Sequence, residues 1–600
     1  MLVKKQRFQK ILFFIVISIG VLFVQKVHSV EASVTVSGNT YTITTGNDLF
    51  NLLGNTNSYW SSSNIPPSDM TIKVSESITL PSSETNLYSG LNNSNITIDF
   101  QNNQFFVASN TGSRIIIANT SNAQFTLSNV NNATTSTSNT VNNAPNPSGT
   151  GNATAYYNTY YGILLSANFG SSLGTTKCNA SITYNNITYN MPNDLGVNQP
   201  FATYYVTANF TGTNEITTTT SAQQLGEMSN INVMSGTTTL KGGNGTGKFS
   251  GAMIYPYYNN TNGKMFNVNV AKGATLNLIN NSTSPTFDFT GTNNSLVFNN
   301  SGTLNVHSTV LGSLIAGAGT NGATINAADS AITNMSTIGP NFDNTMTSKV
   351  FIMNLAANTQ TTLISNNSAP LSNNTVWGSG SGINVTSTAK LLTYSGGYNA
   401  GGLTNTTTST IPFTFLGGST ISKGYTVSGS PTDINSYDTM TPNNTKTNAI
   451  GTTVSSNTLD GTTDNGLLLT FNIPQLTVTG TNFNWLYSLA SLTGTDTLLS
   501  RTSGDDISFK VTGTNNFTVT ADYQATQINQ PFSMWFKKDS VLTELTATPQ
   551  TILTTNDMTN QSGIYTRTFD KTSGLLIKAS NRAKAGTFTG IVDWTLVNGL

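Results

Sequence analysis

Short strands of alternating polarity are the feature that most constrains how this chain can fold. In residues 95–131, Ile96 and Ile98 alternate with Thr97 and Asp99, so the segment has one apolar face and one polar face. The pattern recurs at intervals of roughly eight to eleven residues, in the pairs Ile115/Ile117, Phe125/Leu127, Val268/Val270, Leu276/Leu278, Phe287/Phe289, Leu296/Phe298 and Leu304/Val306. No single strand of this kind can bury its apolar face. We therefore predict an all-β chain whose strands stack rung on rung as a right-handed parallel β-helix.

The composition fits an extracellular all-β protein. Only 8% of the residues are charged, against about a quarter in ordinary globular chains. Asn, Thr, Ser and Gly replace the charged residues, and all four disfavour long helices. Asn recurs at the turns, where we expect the amide side chains to form ladders from one coil to the next. No basic stripe is present, which argues against a nucleic-acid partner, because binding to phosphates requires clustered Lys and Arg.

The N-terminus has the features of a secretory signal peptide, which we place at residues 1–32. Its apolar run, residues 11–24, follows a positive segment and precedes cleavage sites after Ser29 or Ala32. The run is shorter than the roughly 20 residues that cross a bilayer, and we expect no membrane span in the mature protein. An uncleaved membrane anchor is the alternative. The single cysteine, Cys178, cannot form an internal disulfide, which points towards a Gram-positive source.

Strand pattern and composition divide the remaining chain into three segments. We predict a β-helix over residues 33–345, further β segments and a polar linker over 346–465, and an antiparallel β-sandwich over 466–600, where strands lengthen and charge increases. A short helix, N-capped by Asn47 and ended by Gly54, is expected to shield the first coil.

Two tryptophan motifs in the last segment resemble a known family. Trp594-Thr595-Leu596, together with Trp485-Leu486 earlier in the chain, resembles the WxL surface domain of Gram-positive bacteria. This resemblance covers residues 466–600. It implies non-covalent binding to the cell wall, with peptidoglycan or a wall polymer as partner. Trp594, Thr595, Leu596 and Trp485 would be the wall-binding residues.

The first long segment resembles a second family. Residues 95–103 are similar to the first full rung of the pectate-lyase-like adhesive domain, and the predicted helical cap precedes them as in that family. The resemblance implies a secreted, non-enzymatic adhesin on the cell surface, with a host or environmental glycan or protein as its ligand. No cofactor or metal is implied. A surface-layer protein that tiles the cell is a further alternative.

A polysaccharide lyase or hydrolase is the main alternative to an adhesin. Such enzymes need clustered carboxylates, often with a basic side chain or Ca²⁺. Between residues 101 and 430 the acidic residues are widely spaced, namely Asp194, Glu215, Glu227, Asp288, Asp329 and Asp343. Arg114 and His307 are interpreted as solvent-facing or stacked rung residues.

Tyrosines near turns are the candidate ligand contacts of the adhesive face. They form three clusters, Tyr156/Tyr157/Tyr160/Tyr161, Tyr204/Tyr205 and Tyr255/Tyr257/Tyr258. Exposed tyrosines can stack on sugar rings or anchor a protein partner at low entropic cost. Packing within the rungs is the alternative role for the same side chains.

Overall fold

The structure is a computed structural model of the whole chain. It describes residues 34–598 apart from residues 110, 135, 137, 158–160, 168–178, 191–198, 219–223, 244–248, 250, 257–264, 290–294, 311–312, 317–321, 343–348, 368–369, 372–376, 387, 397–410, 417–419, 428–439, 449–452, 456–463, 472–474, 482, 489–493, 514–515, 528–529, 562–563 and 582. The predicted signal peptide lies outside the described residues. No described helix has the length and apolarity needed to cross a membrane. The chain divides into two compact units, Met1–Asn260 and Thr261–Leu600.

The first unit contains stacked parallel strands. One sheet contains Val34–Ser37, Thr40–Ile43, Asp69–Val74, Asn95–Asp99, Gln124–Ser128, Ser181–Asn185, Thr207–Thr211 and Asn230–Val233. A second contains Asn131–Ala133, Thr188–Asn190, Thr213–Thr218 and Thr237–Gly242. The other strands of this unit form three short sheets. The first contains Glu84–Asn86, Arg114–Ile117 and Leu165–Ala167, and the second contains Phe201–Thr203, Gly226–Met228 and Ile254–Pro256. The third contains Ile78–Leu80, Phe105–Val107, Asn152–Tyr156 and Thr140–Pro145. Among the described residues, the strands of these sheets pair in parallel, except in the hairpins 34–43 and 140–156 and where Tyr156 meets Val107.

The second unit begins with the same architecture. Its first sheet contains Met265–Val270, Ser295–Asn300, Gly322–Ala327, Val350–Leu355, Gly382–Val385 and Pro412–Phe415. Its second contains Thr275–Asn280, Thr303–Ser308, Ile332–Thr337, Gln360–Ser365 and Lys390–Ser395, and its third contains Phe287–Asp288 and Ile315–Ala316. These strands pair in parallel. The two units together contain about 10 solenoid turns, which confirms the predicted parallel β-solenoid.

The apolar residues of the predicted pairs line the interior of the coils. Ile96 and Ile98 in the first unit, and Leu276 and Leu278 in the second, are at most 1% exposed. Their alternating partners lie on the outer face, as in Asn95–Asp99, where buried and accessible residues alternate. Each fully buried Leu or Ile side chain contributes about 1.5–3 kcal/mol relative to an exposed one. Burial of these pairs is therefore a large stabilising contribution.

A short helix, Gly46–Leu53, precedes the stacked rungs as predicted, but its N-cap residue is Thr45 and not Asn47. The Thr45 hydroxyl accepts a hydrogen bond from the backbone N–H of Asp48 and donates to the Asp48 carboxylate. Thr, like Asn, has a side-chain oxygen that can accept a hydrogen bond from an N-terminal backbone N–H of a helix, and here the helix begins one residue before Asn47. Gly54 ends the helix, as expected.

Antiparallel strands end the solenoid part of the second unit. Thr453–Ser455 pairs with Pro412–Phe415, and Gly466–Phe471 pairs with both Lys390–Ser395 and Thr420–Tyr425. Asn444–Asn448 completes this sheet. The described part of residues 346–465, predicted as further β segments and a polar linker, thus includes the strands Thr420–Tyr425, Asn444–Asn448 and Thr453–Ser455. Thr453–Ser455 and Gly466–Phe471 cover the sheet edges of the last coils, which would otherwise expose unpaired backbone groups.

Three antiparallel sheets follow in the same unit. The first contains Gln475–Thr479, Ile507–Thr512, Ile564–Phe569 and Thr559–Gln561. The second contains Thr497–Leu499, Gly574–Ala579, Phe532–Lys538 and Val541–Leu545. The third contains Gln550–Thr554, Phe517–Ala525 and Gly590–Asn598. Their inward side chains share one hydrophobic core, which includes Phe509, Val519, Phe536 and Ile577. We refer to residues 475–598 as the C-terminal module. Besides the helix Gly46–Leu53, the described residues include short 3-10 helices such as Ser89–Leu91 and Thr555–Asp557.

Asparagine ladders connect successive coils on the outside of the solenoid. In the second unit one ladder follows a single strand position of the first sheet. Each side-chain amide donates to the side-chain carbonyl of the previous asparagine at 2.8–2.9 Å, and the members are Asn269, Asn299, Asn326, Asn354 and Asn384. A second ladder contains Asn277, Asn305 and Asn334. A ladder at turns, as predicted, is formed in the first unit by Asn93, Asn122 and Asn179. The two ladders of the second unit lie on strands, which the turn-based prediction missed.

We expect Asn326→Asp to lower the free energy of unfolding by about 2 kcal/mol. The substitution removes the amide that donates to Asn299 and places a carboxylate oxygen against the Asn299 carbonyl. A hydrogen bond contributes about 1 kcal/mol net to stability, and leaving one of its partners unsatisfied costs more than that. Urea unfolding measures the change. Asn267→Asp is the control, since the Asn267 amide bonds only to the nearby Met265 carbonyl in the described structure. Equal losses in both variants would contradict a stabilising ladder.

Candidate functional site

An ion pair on the outer face of the first unit is the starting point of a candidate site. Strands Arg114–Ile117 and Glu84–Asn86 pair in parallel with Arg114 opposite Glu84. The register brings the guanidinium Nη2 to 2.7 Å from the Glu84 Oε1, and the Arg114 side chain is only 14% exposed. The guanidinium carbon lies 4.3 Å from the centre of the Tyr161 ring, a cation–π geometry. Arg114 is therefore held on two sides and is not the solvent-facing residue that we predicted.

A half-buried carboxylate lies on the neighbouring coils. Glu227 is the central residue of Gly226–Met228 and faces outward between Ala202 and Tyr255 of the adjoining strands. Burial raises the pKa of Glu227, although its interactions with the side chains of Tyr204 and Gln199 favour the ionised form. Burial and the Glu227 charge together raise the pKa of Tyr204, which keeps its hydroxyl protonated.

The two groups belong to one electrostatic cluster. Arg114, Tyr161 and Glu227 all interact electrostatically with the Tyr204 hydroxyl. We call Glu84, Arg114, Tyr161, Tyr204 and Glu227 the Arg114 cluster. It combines a guanidinium, carboxylates and aromatic faces, the groups by which proteins orient a polar ligand with flat apolar faces, such as a sugar.

The structure distributes the predicted tyrosines among different environments. Tyr161 of the Arg114 cluster and Tyr255, which lies beside Glu227, are half-buried, whereas Tyr204 of the cluster and Tyr205 are each only 1% exposed. Tyr156 and Tyr157 are half-buried near the hairpin 140–156, where the Tyr157 ring lies 5.5 Å from Phe106. The remaining predicted tyrosines, Tyr160, Tyr257 and Tyr258, lie outside the described residues.

The environment of Glu227 predicts a pH-dependent difference between two variants. A carboxyl whose pKa is raised on folding adds stability in its neutral form, and that contribution is lost as the pH rises through the raised pKa. Gln resembles the neutral carboxyl, so Glu227→Gln should match the wild type at pH 4 and melt at a higher temperature at pH 8. Thermal scans across this range measure the difference. Glu215→Gln, at an exposed position of Thr213–Thr218, is the control, and a pH-independent difference for Glu227→Gln would contradict this account.

The remaining candidates for enzymatic chemistry are dispersed or lie outside the described residues. Of the six carboxylates considered for catalysis, Asp194 and Asp343 fall outside them, as does Cys178. Within the described part of the chain, no three His, Cys, Asp or Glu residues lie close enough to bind a metal ion together. His307 is an exposed residue of Thr303–Ser308, between Ile279 and Ser336 of the adjoining rungs.

Both tryptophans of the WxL-like motifs pack against the core of the C-terminal module. Trp594 in strand Gly590–Asn598 is half-buried, and its ring makes an edge contact with Phe509 at 5.1 Å. Leu596 faces the same core, whereas Thr595 points outward. Trp485 also packs on this core, and its buried indole N–H has no acceptor among the described residues. Trp485, Trp594 and Leu596 therefore support the core of the module, whereas Thr595 and Leu486 are exposed at its surface.

Sequence reasoning missed a buried arginine that connects three loops of the module. Arg501 is 3% exposed, and its guanidinium donates to the backbone carbonyls of Asp505 at 2.6 Å, of Phe569 at 3.1 Å, and of Asp570. The Phe483 ring lies 5.1 Å from the guanidinium carbon. Desolvation lowers the pKa of Arg501, an effect opposed by the nearby Asp506 and Asp570 charges. No local motif marks such a residue, because its partners are up to 69 positions away.

Comparison of the chain with protein-family models, curated proteins and solved structures gave no match.

Proposed function

We propose that this chain is a secreted, non-enzymatic surface protein of a Gram-positive bacterium. Its solenoid is a right-handed β-helix of the pectate-lyase-like adhesive type and presents the adhesive surface. The C-terminal module is a WxL-like β-sandwich that binds peptidoglycan or another wall polymer without a covalent bond; the strand Gly466–Phe471, which the sequence assigned to it, pairs with the end of the solenoid instead. The ligand on the adhesive side is a host or environmental glycan or protein.

The observation that carries the proposal is the separate hydrophobic core of the C-terminal module. Every buried residue of that core lies between Ile507 and Ile577, and the residues packed around it lie between Leu476 and Leu596. A segment with its own core can fold and bind as a unit. The two motif tryptophans support this core, which is consistent with a role for the motifs in shaping the wall-binding surface.

The Arg114 cluster supports the adhesive part of the proposal. Its side chains come from four coils and an intervening loop, so any ligand that they contact is recognised by a surface that only the stacked fold creates. Rigid strands reduce the ordering cost of binding. The half-buried rings of Tyr161 and Tyr255 are the best placed of the predicted tyrosines for contact with a ligand.

The same cluster favours a polysaccharide lyase or hydrolase as the second candidate. Glu227, whose pKa is raised by burial, resembles a general acid, and Arg114 provides a positive charge for an acidic sugar. The two candidates differ in turnover. Acidic polysaccharides incubated with an adhesin keep their chain length, whereas an enzyme shortens them, which reducing-end and unsaturated-sugar assays detect.

Cosedimentation with purified wall sacculi tests the proposed attachment. The mature chain, residues 33–600, is expected to pellet with the sacculi and to be released by urea without digestion of the wall. Urea release distinguishes non-covalent from covalent retention. A chain that stays in the supernatant, or that only a wall hydrolase releases, would refute the proposal.

A further inference from the structure

The C-terminal module has an open cleft of about 690 Å³ beside the strands Phe532–Lys538 and Gly574–Ala579. Charged and aromatic side chains line it, among them Asp496, Gln530, Phe532, Lys578, Lys584 and Phe588. It is separate from the Trp485 and Trp594 rings, neither of which lines it. The sequence motifs therefore gave no indication of this cleft.

The cleft has a positive electrostatic character. Lys578 lies 3.8 Å from Asp496, and both side chains are well exposed at 39% and 52%, so the pair is weak and easily exchanged for another anion. Lys584 has no carboxylate within ion-pair distance among the described residues. Two ammonium groups thus face one carboxylate. The chain beyond Val30 has 20 basic and 25 acidic residues, so this local excess is opposite in sign to the protein as a whole.

Two aromatic rings form the apolar wall of the cleft. Phe532 and Phe588 meet edge to face with their centres 5.9 Å apart. Both rings are only half-buried. An aromatic ring beside cationic side chains provides an apolar surface for the C–H face of a sugar and charges for its acidic substituents.

Hydrogen bonds hold the rim of the cleft in place. The Gln530 side chain accepts a hydrogen bond from the Tyr523 hydroxyl at 2.6 Å and donates one to the Thr589 carbonyl at 2.6 Å. The backbone N–H of Ser580 donates to the Pro531 carbonyl at 2.8 Å. The lining is thus fixed before any ligand enters, which lowers the entropic cost of binding.

We propose that this cleft binds an acidic saccharide of the cell wall. The sugar ring packs on Phe588 and Phe532, and the anionic group takes the place of Asp496 beside Lys578 and Lys584. The inference rests on the proposed wall attachment and gives it a location and a ligand class. Phosphate-bearing wall polymers and the peptide carboxylates of peptidoglycan share this chemistry.

Tryptophan fluorescence provides a direct test. The Trp535 ring lies 5.5 Å from the Lys578 ammonium, and its indole N–H donates to Ser533, which lines the cleft. The mature chain is titrated with N-acetylglucosamine 6-phosphate, with a soluble muropeptide and with neutral N-acetylglucosamine. We expect saturable changes with the acidic probes, and their relative affinities distinguish the phosphate source from the carboxylate source. Equal responses to the neutral and acidic sugars, or no saturable response to either acidic probe, would overturn the inference.

A matched pair of double variants assigns the signal to the cleft. K578Q/K584Q should weaken binding of the preferred acidic probe about tenfold, because it removes both charges that face the anion. K510Q/K571Q removes the same net charge at two exposed positions of the module outside the lining, and should bind like the wild type. Equal affinity in both variants would overturn the cleft assignment.

The same variants separate this inference from the wall attachment. Sacculi are used before and after acid extraction of their phosphate polymers. If the K578Q/K584Q chain still pellets as well as the wild type, attachment stands and the cleft assignment fails. If the wild type binds the acidic probe saturably but does not pellet, the cleft stands and the proposed attachment fails.

Discussion

Removal of residues 475–600 is expected to move the protein from the cell wall into the culture medium. The solenoid should survive the deletion, because its antiparallel end strand, Gly466–Phe471, remains paired with Lys390–Ser395. The whole core of the C-terminal module is lost at the same time. If that module alone holds the protein, the wall-bound fraction should fall to the background level. Immunoblots of wall and medium fractions measure the distribution.

Folding of the truncated chain is the necessary control for this deletion. Protein recovered from the medium should retain a β-sheet circular dichroism spectrum and resist limited proteolysis, because the parallel rungs are intact. The wild-type chain, fractionated in parallel, reports the retained fraction. Retention of the folded truncated chain at the wild-type level would place the wall contact in the solenoid and contradict the proposed division of roles.

The second large effect is expected from Arg501→Met, which should lower the free energy of unfolding of the C-terminal module by about 3 kcal/mol. Met approximates the volume of the aliphatic part of the Arg501 side chain but donates no hydrogen bonds. The carbonyls of Asp505, Phe569 and Asp570 therefore lose a charged donor. Each hydrogen bond to a charged group contributes about 1.5–3 kcal/mol, and part of this is recovered if water enters. Wall binding should weaken as the module unfolds.

Arg567→Met is the matched control for this substitution. Arg567 makes an ion pair with Asp539 at 2.6 Å, but its side chain is 31% exposed and that of Asp539 is 68% exposed. Such pairs contribute about 1 kcal/mol or less. Urea unfolding followed by tryptophan fluorescence compares the variants, since Trp485, Trp535 and Trp594 all lie in the module. Similar decreases in the free energy of unfolding for both substitutions would show that burial of Arg501 is not the reason for its stabilising effect.

Much of the fold could be predicted because a solenoid repeats one local rule. The alternation seen in Ile96/Ile98 and Leu276/Leu278 determines which side chains enter the interior, and the repeat makes the rule visible many times in one sequence. The helix before the first full rungs followed from capping residues and an apolar face. The N-cap was placed two residues too late, at Asn47, because Asn is as favourable an N-cap as the Thr45 that holds the position.

The candidate site could not be predicted, because coil lengths vary and sequence distance does not reveal which rungs are neighbours. Glu84 and Arg114 are 30 positions apart, and Glu227 lies a further 113 positions along the chain. The strand register places Glu84 opposite Arg114, whereas Glu227 lies on a strand of another sheet and is linked to Arg114 through Tyr204. Arg501 presents the same difficulty, since its partners are backbone carbonyls, which leave no side-chain signature.

The strand ladders of asparagine were predictable in principle. Neighbours in the longest ladder are separated by 30, 27, 28 and 30 residues, which is the length of one coil. A search for polar residues at that period would have found them. Without that period these asparagines are not distinctive, because an outward strand position is polar in any strand of alternating polarity.

Wall binding by separated parts of the chain tests the central claim most directly. Residues 33–474 and residues 475–600 are each incubated with purified sacculi, beside the mature chain, and the pelleted fractions are measured. We expect the C-terminal segment to pellet like the mature chain and the solenoid to stay in the supernatant. Pelleting of the solenoid, with the C-terminal segment left folded in solution, would contradict the account.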